Sequence, residues 1–367
     1  AGIEAAVDKA TGTKAIPGNS VALLIEGQYF ESLWPTLRQA KDSILISSLK
    51  IDDGPYGKQT ADILAEKAKA GVQVRVLLDT FNSRGDVGKD SIAKMRQAGV
   101  HVYLLDKPVG RTVMEIQHRK LTIVDGDTAY VGGQNLDWAG HNAHDATMKV
   151  RGPVVANLHQ LSVDLWRQAG APELPDPPMP RPQSVGKVVL RPLVTDPCDR
   201  SFKEAVLAAI DAAKDHIYLD QVFFSDTEVI ERLGHAAKRG VKVELVIPQK
   251  SYSKEINAVN RLDLPKLINM GIHVRLNPHE THMKAMTIDG SWGVLGSTNL
   301  DGRALNDNYE LSLAISNPET VQDLDRRILL PAILSSPRAT PTSLAVPNQG
   351  YAAVIKDRVL SWGRRLF

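Results

Sequence analysis

The chain is written twice, and a repeat of this length constrains the fold more than any local pattern. A helical pattern with Phe30, Leu33, Trp34 and Leu37 leads into "DSILISSLKI", and a second helix closes at "AKAGVQVRVLLD". Further on, a helical pattern with Phe202, Val206, Leu207 and Ile210 leads into "DHIYLDQVFF", and its second helix closes at "AKRGVKVELVIP". The parallel continues with "QAGVHVYLL" against "NMGIHVRLN". Gly71, Gly99, Gly240 and Gly271 stand where a helix stops and a strand begins, the place of a left-handed cap. The β-branched runs after them read as strands. This alternation predicts an α/β sandwich built from two similar halves.

Between the repeats lies "APELPDPPMPRPQ", with proline at 172, 175, 177, 178, 180 and 182. That density excludes helix and favours an extended, semi-rigid linker. The expected organisation is an N-terminal half over 1–170, a linker over 171–187, a C-terminal half over 188–340 and a tail over 341–367. In the tail, Tyr351, Val354, Ile355, Val359, Trp362 and Leu366 fall near one helical face with Lys356, Arg358, Arg364 and Arg365 interspersed. Such a segment suits either an interfacial amphipathic helix or a last helix packed on the domain.

At 43% hydrophobic and 23% charged residues, the 367-residue chain has the make-up of a globular protein. A formal net charge of +2 is too weak for a dense phosphate-tracking surface. The single cysteine, Cys198, rules out an internal disulfide. No apolar run approaches the roughly 20 residues of a spanning helix. The start at "AGIEAAVDKA" lacks an initiator methionine, compatible with removal of a signal or anchor.

The chemistry concentrates in "HRKLTIVDGDTAYVGGQN" (118–135) and "HMKAMTIDGSWGVLGSTN" (282–299). His118, Lys120 and Asp125 have the spacing of His282, Lys284 and Asp289, and Gly132, Gly133 and Asn135 align with Gly296, Ser297 and Asn299. By average residue usage one such triplet arises by chance at a rate of order 10⁻⁴ per starting position. Two copies in the same repeat context are not accidental. On a strand, a histidine and a lysine two apart point to one face, so each half presents an imidazole beside an ammonium. That pair suits a phosphodiester: the lysine offsets charge on the non-bridging oxygens, and the imidazole attacks phosphorus or moves a proton. One histidine per half supplies both roles if the halves face each other. The asparagines and small residues allow close approach and hydrogen bonding to phosphate.

At these residues the chain resembles the phospholipase D superfamily, whose signature is this duplicated motif. "HRKLTIVDGDTAYVGGQNLDW", "DATMKVRGPVV" and "GSTNLDGRALNDNYELSLAI" look like bacterial cardiolipin synthases in particular. The glycine pair against Gly-Ser is also a pattern of secreted bacterial phospholipases D. The resemblance spans roughly residues 20–335 and implies the pseudo-twofold phospholipase D fold, central mixed β-sheets flanked by helices, with the active site between the halves. It further implies that His118 is the nucleophile forming a phosphohistidine and His282 the general acid/base. Lys120, Lys284, Asn135 and Asn299 would hold the phosphoryl oxygens, with Gly132, Gly133, Gly296 and Ser297 in support. Asp125 and Asp289 would back the site, and Asp145 and Glu310, ten and eleven residues beyond the asparagines, would each orient an imidazole. The family chemistry needs no cofactor or metal. The grouping His141, His144 and Asp145 has ligand types but converges with no other cluster.

The expected function is therefore a phosphatidyltransferase of cardiolipin synthase type, acting at a bacterial membrane surface on a phospholipid such as phosphatidylglycerol, with no obligatory protein partner. A hydrolytic phospholipase D differs only in the acceptor. A nuclease uses the same catalytic pair, but the mild charge and the lack of a basic, aromatic-interleaved tract argue against it. The segments 106–115 and 248–262, which precede the motifs, are expected to wall the cleft.

Overall fold

Among the described residues, seven strands of each half join in one continuous sheet. The first half contributes β1 (Ile16–Ile25), β2 (Ser43–Ser48), β3 (Gln73–Asp79), β4 (His101–Leu105), β5 (Leu121–Val124), β6 (Thr128–Gly132) and β7 (Ala146–Arg151). The second contributes β8 (Val188–Thr195), β9 (His216–Gln221), β10 (Lys242–Pro248), β11 (His273–Asn277), β12 (Lys284–Ile288), β13 (Trp292–Gly296) and β14 (Glu310–Ile315). This computed structural model describes residues 2–83, 85–105, 115–137, 141–179, 183–251 and 254–340. The tail expected at 341–367 and nearly all of the segment 106–115 lie outside them.

The strand order is β4-β3-β2-β5-β6-β7-β1-β8-β14-β13-β12-β9-β10-β11, which reads identically from either edge once seven is added to each first-half number. Each outer trio, β2–β3–β4 and β9–β10–β11, is parallel and joined by helical crossovers. The inner strands pair antiparallel. The sequence repeat is thus a topological repeat, and β1 meets β8 at the seam, with Ile16 opposite Leu190 and Asn19 opposite Val188.

The four cap glycines have φ of +91°, +94°, +94° and +87°, the left-handed turn that a side chain would strain. Helices Gln28–Gln39 and Ser201–Ala212 bury Phe30, Leu33 and Leu37, and Phe202, Val206 and Ile210, against their own half of the sheet. Each such side chain contributes about 1.5–3 kcal/mol of burial. A separate core spans the halves, with Leu121, Met148 and Leu158 from the first packed in one cluster with Met283, Leu295 and Leu311 from the second. The sheet bends so that β6 and β7 also pack against β13 and β14. The proline-rich stretch 171–179 has no regular structure and lies along the first half, where Trp166 Nε1 donates to Pro172 O (3.0 Å) and Gln73 Nε2 to Pro175 O (2.8 Å).

Candidate active site

The loops entering β5, β7, β12 and β14 meet where the two halves touch, and they meet by crossing. His118 N–H donates to Tyr309 O and Tyr309 N–H to Ile116 O, each at 2.9 Å, while His282 N–H donates to His144 O at 2.9 Å. Each histidine is therefore backbone-paired with the stretch just before the acidic residue of the opposite half. This explains why β5 starts only at Leu121 and β12 at Lys284, later than the motif suggests.

Side chains follow the same crossing. His118 Nδ1 is 2.9 Å from Glu310 Oε2, and His282 Nδ1 is 2.7 Å from Asp145 Oδ2. With Nδ1 held by a carboxylate, Nε2 is the atom left for chemistry. His118 is 8% exposed and His282 20%. Lys120 Nζ donates to His118 O at 2.8 Å, and Lys284 Nζ donates to His282 O at 2.5 Å beside the ring nitrogens of that histidine. Asn135 Oδ1 and Asn299 Oδ1 are buried without a hydrogen-bond partner among the described residues, as expected of amides awaiting a polar ligand.

Burial dominates the electrostatics. It pushes the His118 imidazole well below its ordinary value, aided by Lys120, Lys284 and His282. His282 is also lowered, by burial and Lys284, but Asp145 opposes the shift. Burial takes Lys120 down to about 7 and Glu310 up to about 7. Asp145 is held below the usual carboxylate range: Lys284, the His282 hydrogen bond and the Ala146 N–H (2.8 Å) together outweigh its burial. The two dyad carboxyls thus shift in opposite senses, Asp145 down and Glu310 up.

Several expected site residues stand elsewhere. Asp125 and Asp289 lie past the far ends of β5 and β12, strand-length away from the histidines. Asp125 accepts the backbone N–H groups of Lys41, Asp42 and Ser43 at 2.8–3.1 Å, and Asp289 those of Lys214, Asp215 and His216 at 2.8–3.0 Å. They staple the entry of β2 and β9 and do not reach a reacting group. Gly132 and Gly296 are spacers: a Cβ there would come within 2.3–2.5 Å of β7 or β14. The Ser297 hydroxyl faces inward to Glu310 Oε2 at 2.5 Å, so it is not a phosphate ligand. A Cβ on Gly133 would fall 2.4 Å from Asp145 Oδ1, so this glycine makes room for the shorter acid. His141 stacks on Tyr56 at 4.1 Å and His144 Nδ1 pairs with Glu26 at 2.9 Å, which disperses the "HNAHD" grouping. Among the described residues no cluster of histidine, cysteine and carboxylates could hold a metal.

Other contributors escaped the motif. Asp79 Oδ2 accepts Gln117 N–H at 3.0 Å, directly before His118. Arg119 is buried, with Nε on Glu310 O at 3.2 Å. Asp220 is wholly buried on β9, near Thr281. An aspartate inside the apolar run "IYLDQVFF" was the one available signal, since strands disfavour it. Helix Lys254–Leu262, within the segment expected as a wall, packs Val259 against Val222 and Phe223 just past β9.

Comparisons with known proteins match both halves of the chain. The family model described as "Cardiolipin synthase, PLD-like domain" matches residues 33–162 and 206–329, one block in each half. A cardiolipin synthase A of Pseudomonas syringae pv. syringae (strain B728a) is 31% identical over 324 residues, 84% of this chain and 67% of that protein. That of Pseudomonas fluorescens (strain SBW25) is 28% identical over 330 residues, 86% and 68% respectively. The chain thus spans about two thirds of the length of these relatives. A crystal structure of phosphatidylserine synthase from Haemophilus influenzae Rd KW20 superposes with a TM-score of 0.77 at 14% identity, covering 100% of this chain and 99% of that one, a likeness of fold. With both halves matched, the chain belongs to the cardiolipin synthase PLD-like domain family, a branch of the phospholipase D superfamily of enzymes.

Proposed function

We propose that the protein transfers phosphatidyl groups between lipid alcohols, as a cardiolipin synthase does, through a covalent phosphohistidine. The observation that carries this reading is the crossed pair of histidine–carboxylate dyads, each with a buried lysine beside its imidazole. His118 is the nucleophile and His282 the general acid/base. The lowered His118 keeps its Nε2 lone pair at neutral pH, while ionised Asp145 supports positive charge on His282. A phosphodiester entering the site adds negative charge that raises both imidazoles, and the raised His282 holds the proton it must give.

In the first step the His118 Nε2 lone pair forms a P–N bond as the P–O bond to the leaving alcohol breaks, and the departing oxygen takes the His282 proton. In the second, the acceptor hydroxyl gives its proton to His282 and attacks phosphorus, and the P–N bond breaks. Lys120, Lys284, Asn135 and Asn299 hold the phosphoryl oxygens throughout. With phosphatidylglycerol as donor and acceptor, the products are cardiolipin and glycerol. We place the protein peripherally on a membrane; among the described residues no helix is long and apolar enough to cross one.

Incubation with phosphatidylglycerol vesicles and separation of the lipids tests this. Cardiolipin is expected; phosphatidic acid without cardiolipin makes water the acceptor and overturns the transferase reading. Degradation of DNA or RNA by the wild type, abolished in His118→Ala, makes it a nuclease.

A further inference from the structure

Antiparallel pairing decides what stands beside each motif lysine, and here the halves differ. Gln221, the last residue of β9, is directly opposite Lys284 in the register. The next pair along, Val222 and Met283, carries the ladder hydrogen bond, Val222 N–H to Met283 O at 3.0 Å. Gln221 and Lys284 therefore form the closer kind of pair, with Cα atoms about 4.5 Å apart and side chains on one face. On that face Lys284 Nζ reaches the carbonyl and the ring nitrogens of His282. In the first half Ser48, one step past the Ser47–Leu121 pair, holds the corresponding place beside Lys120, and its hydroxyl donates to Lys50 O at 3.1 Å.

Gln221 is 3% exposed, and its carboxamide is only half used. Nε2 lies 3.5 Å from Ala285 O, the outer limit of a hydrogen bond, and Oε1 has no partner among the described residues. Turning the amide over would set Oε1 against that carbonyl, so the NH2 is fixed inward and the acceptor is left over. A buried glutamine with a structural task looks different. Gln117, just before His118, donates through Nε2 to Ser48 O (3.1 Å) and Arg119 O (3.2 Å) and accepts Arg119 N–H at Oε1 (2.8 Å). An unmet buried acceptor destabilises the empty site and is satisfied when a donor arrives.

The substrate's chemistry says which donor that is. A phosphodiester monoanion brings only acceptors, which suit the lysines and amide NH2 groups. The donors are the hydroxyls of the alcohol, which leaves and enters beside His282, in the same half as Gln221. We infer that Gln221 is a substrate-binding residue that selects polyol headgroups: its Oε1 accepts a non-reacting hydroxyl of the glycerol whose reacting oxygen exchanges a proton with His282. This rests on the proposed role of His282 as general acid/base in phosphatidyl transfer. The long Ala285 contact lets the carboxamide turn to meet that hydroxyl. Ser48, a shorter side chain turned to Lys50 O, gives the His118 side no equivalent.

The test compares sn-glycerol 1-phosphate with n-propyl phosphate, the same phosphate ester without the extra hydroxyls, in NMR titrations of the full chain. The wild type should bind the glycerol ester about tenfold more tightly, the scale of one neutral hydrogen bond. In Gln221→Met, which keeps the shape and loses the acceptor, the two affinities should become equal through weaker binding of the glycerol ester. With phosphatidylglycerol vesicles and equimolar deuterated glycerol and 1-propanol as acceptors, the ratio of labelled phosphatidylglycerol to phosphatidylpropanol should fall about tenfold in the variant. Equal affinities in the wild type, no binding of either ester, or a parallel loss for both in the variant overturns the assignment and leaves Gln221 a packing residue. Should Gln221→Met fail to fold, Gln221→Ser, the residue of the first half, is read the same way. If the wild type turns over no lipid, the proposed function fails, while the two affinities still decide Gln221.

Discussion

His118 and His282 begin from the same three-letter motif and end in different electrostatic settings, and the difference predicts different failures. On the proposed roles, His282→Asn removes the proton donor and the activator of the acceptor but leaves the nucleophile, so a phosphatidylated protein should accumulate in samples given labelled phosphatidylglycerol and quenched with denaturant at neutral to basic pH. His118→Asn should show none, and both should lose turnover at least a thousandfold, about 4 kcal/mol in barrier height. The lysines set a pH limb. Lys120 titrates at about 7 in the free site, so its charge is present below that value and lost above it. The kcat/KM profile should therefore fall as pH rises through about 7. In the complex the phosphate favours the charged lysine, so the corresponding limb of kcat should lie at higher pH. The histidine–lysine pairs were suggested by the two-residue spacing of an extended chain, whereas Asp145 and Glu310 were expected only from the family resemblance. Asp125 and Asp289 were misread: spacing places them on the motif but does not say that a strand carries them out of the site.

At the scale of elements, the Gly133 and Ser297 positions at the ends of β6 and β13 show how a repeat diverges around two acids of different length. Gly133 leaves the space that Asp145 occupies, whereas Ser297 fills the equivalent space and donates to the longer Glu310. Gly133→Ser should displace Asp145 from His282 and lower kcat by ten- to a hundredfold with little change in Tm, the scale of lost outer support at a catalytic histidine. The staples behave in the opposite sense. Asp125→Ala frees three backbone N–H groups at the entry of β2 and should cost about 1–2 kcal/mol in urea unfolding, with the pH profile of the remaining activity unchanged. The aspartate also sits at φ +51°, which asparagine tolerates, so Asp125→Asn should retain most of that stability. Helix and strand order was readable from periodicity and the cap glycines, because both are local properties of the chain. The staples were not, because their partners lie more than 70 residues away.

At the scale of the whole molecule, the dyads tie the halves together, since His118 pairs with Glu310 of the second half and His282 with Asp145 of the first. Glu310→Gln, in the second half, should move the titration of His118, in the first, and leave that of His282 nearly in place; Asp145→Asn should do the converse. Histidine NMR titrations would check both, and perturbation confined to the mutated half would contradict the crossing. The sequence by itself determined the two-half α/β architecture, which follows from period and repetition along the chain, and the family, which follows from the duplicated motif. Only the tertiary structure decided which carboxylate pairs with which histidine and that Asp125 and Asp289 hold loops. Those facts depend on how the sheet bends at the β1–β8 seam to bring β6 and β7 against β13 and β14, and contacts between residues so far apart in the chain leave no periodic trace in it.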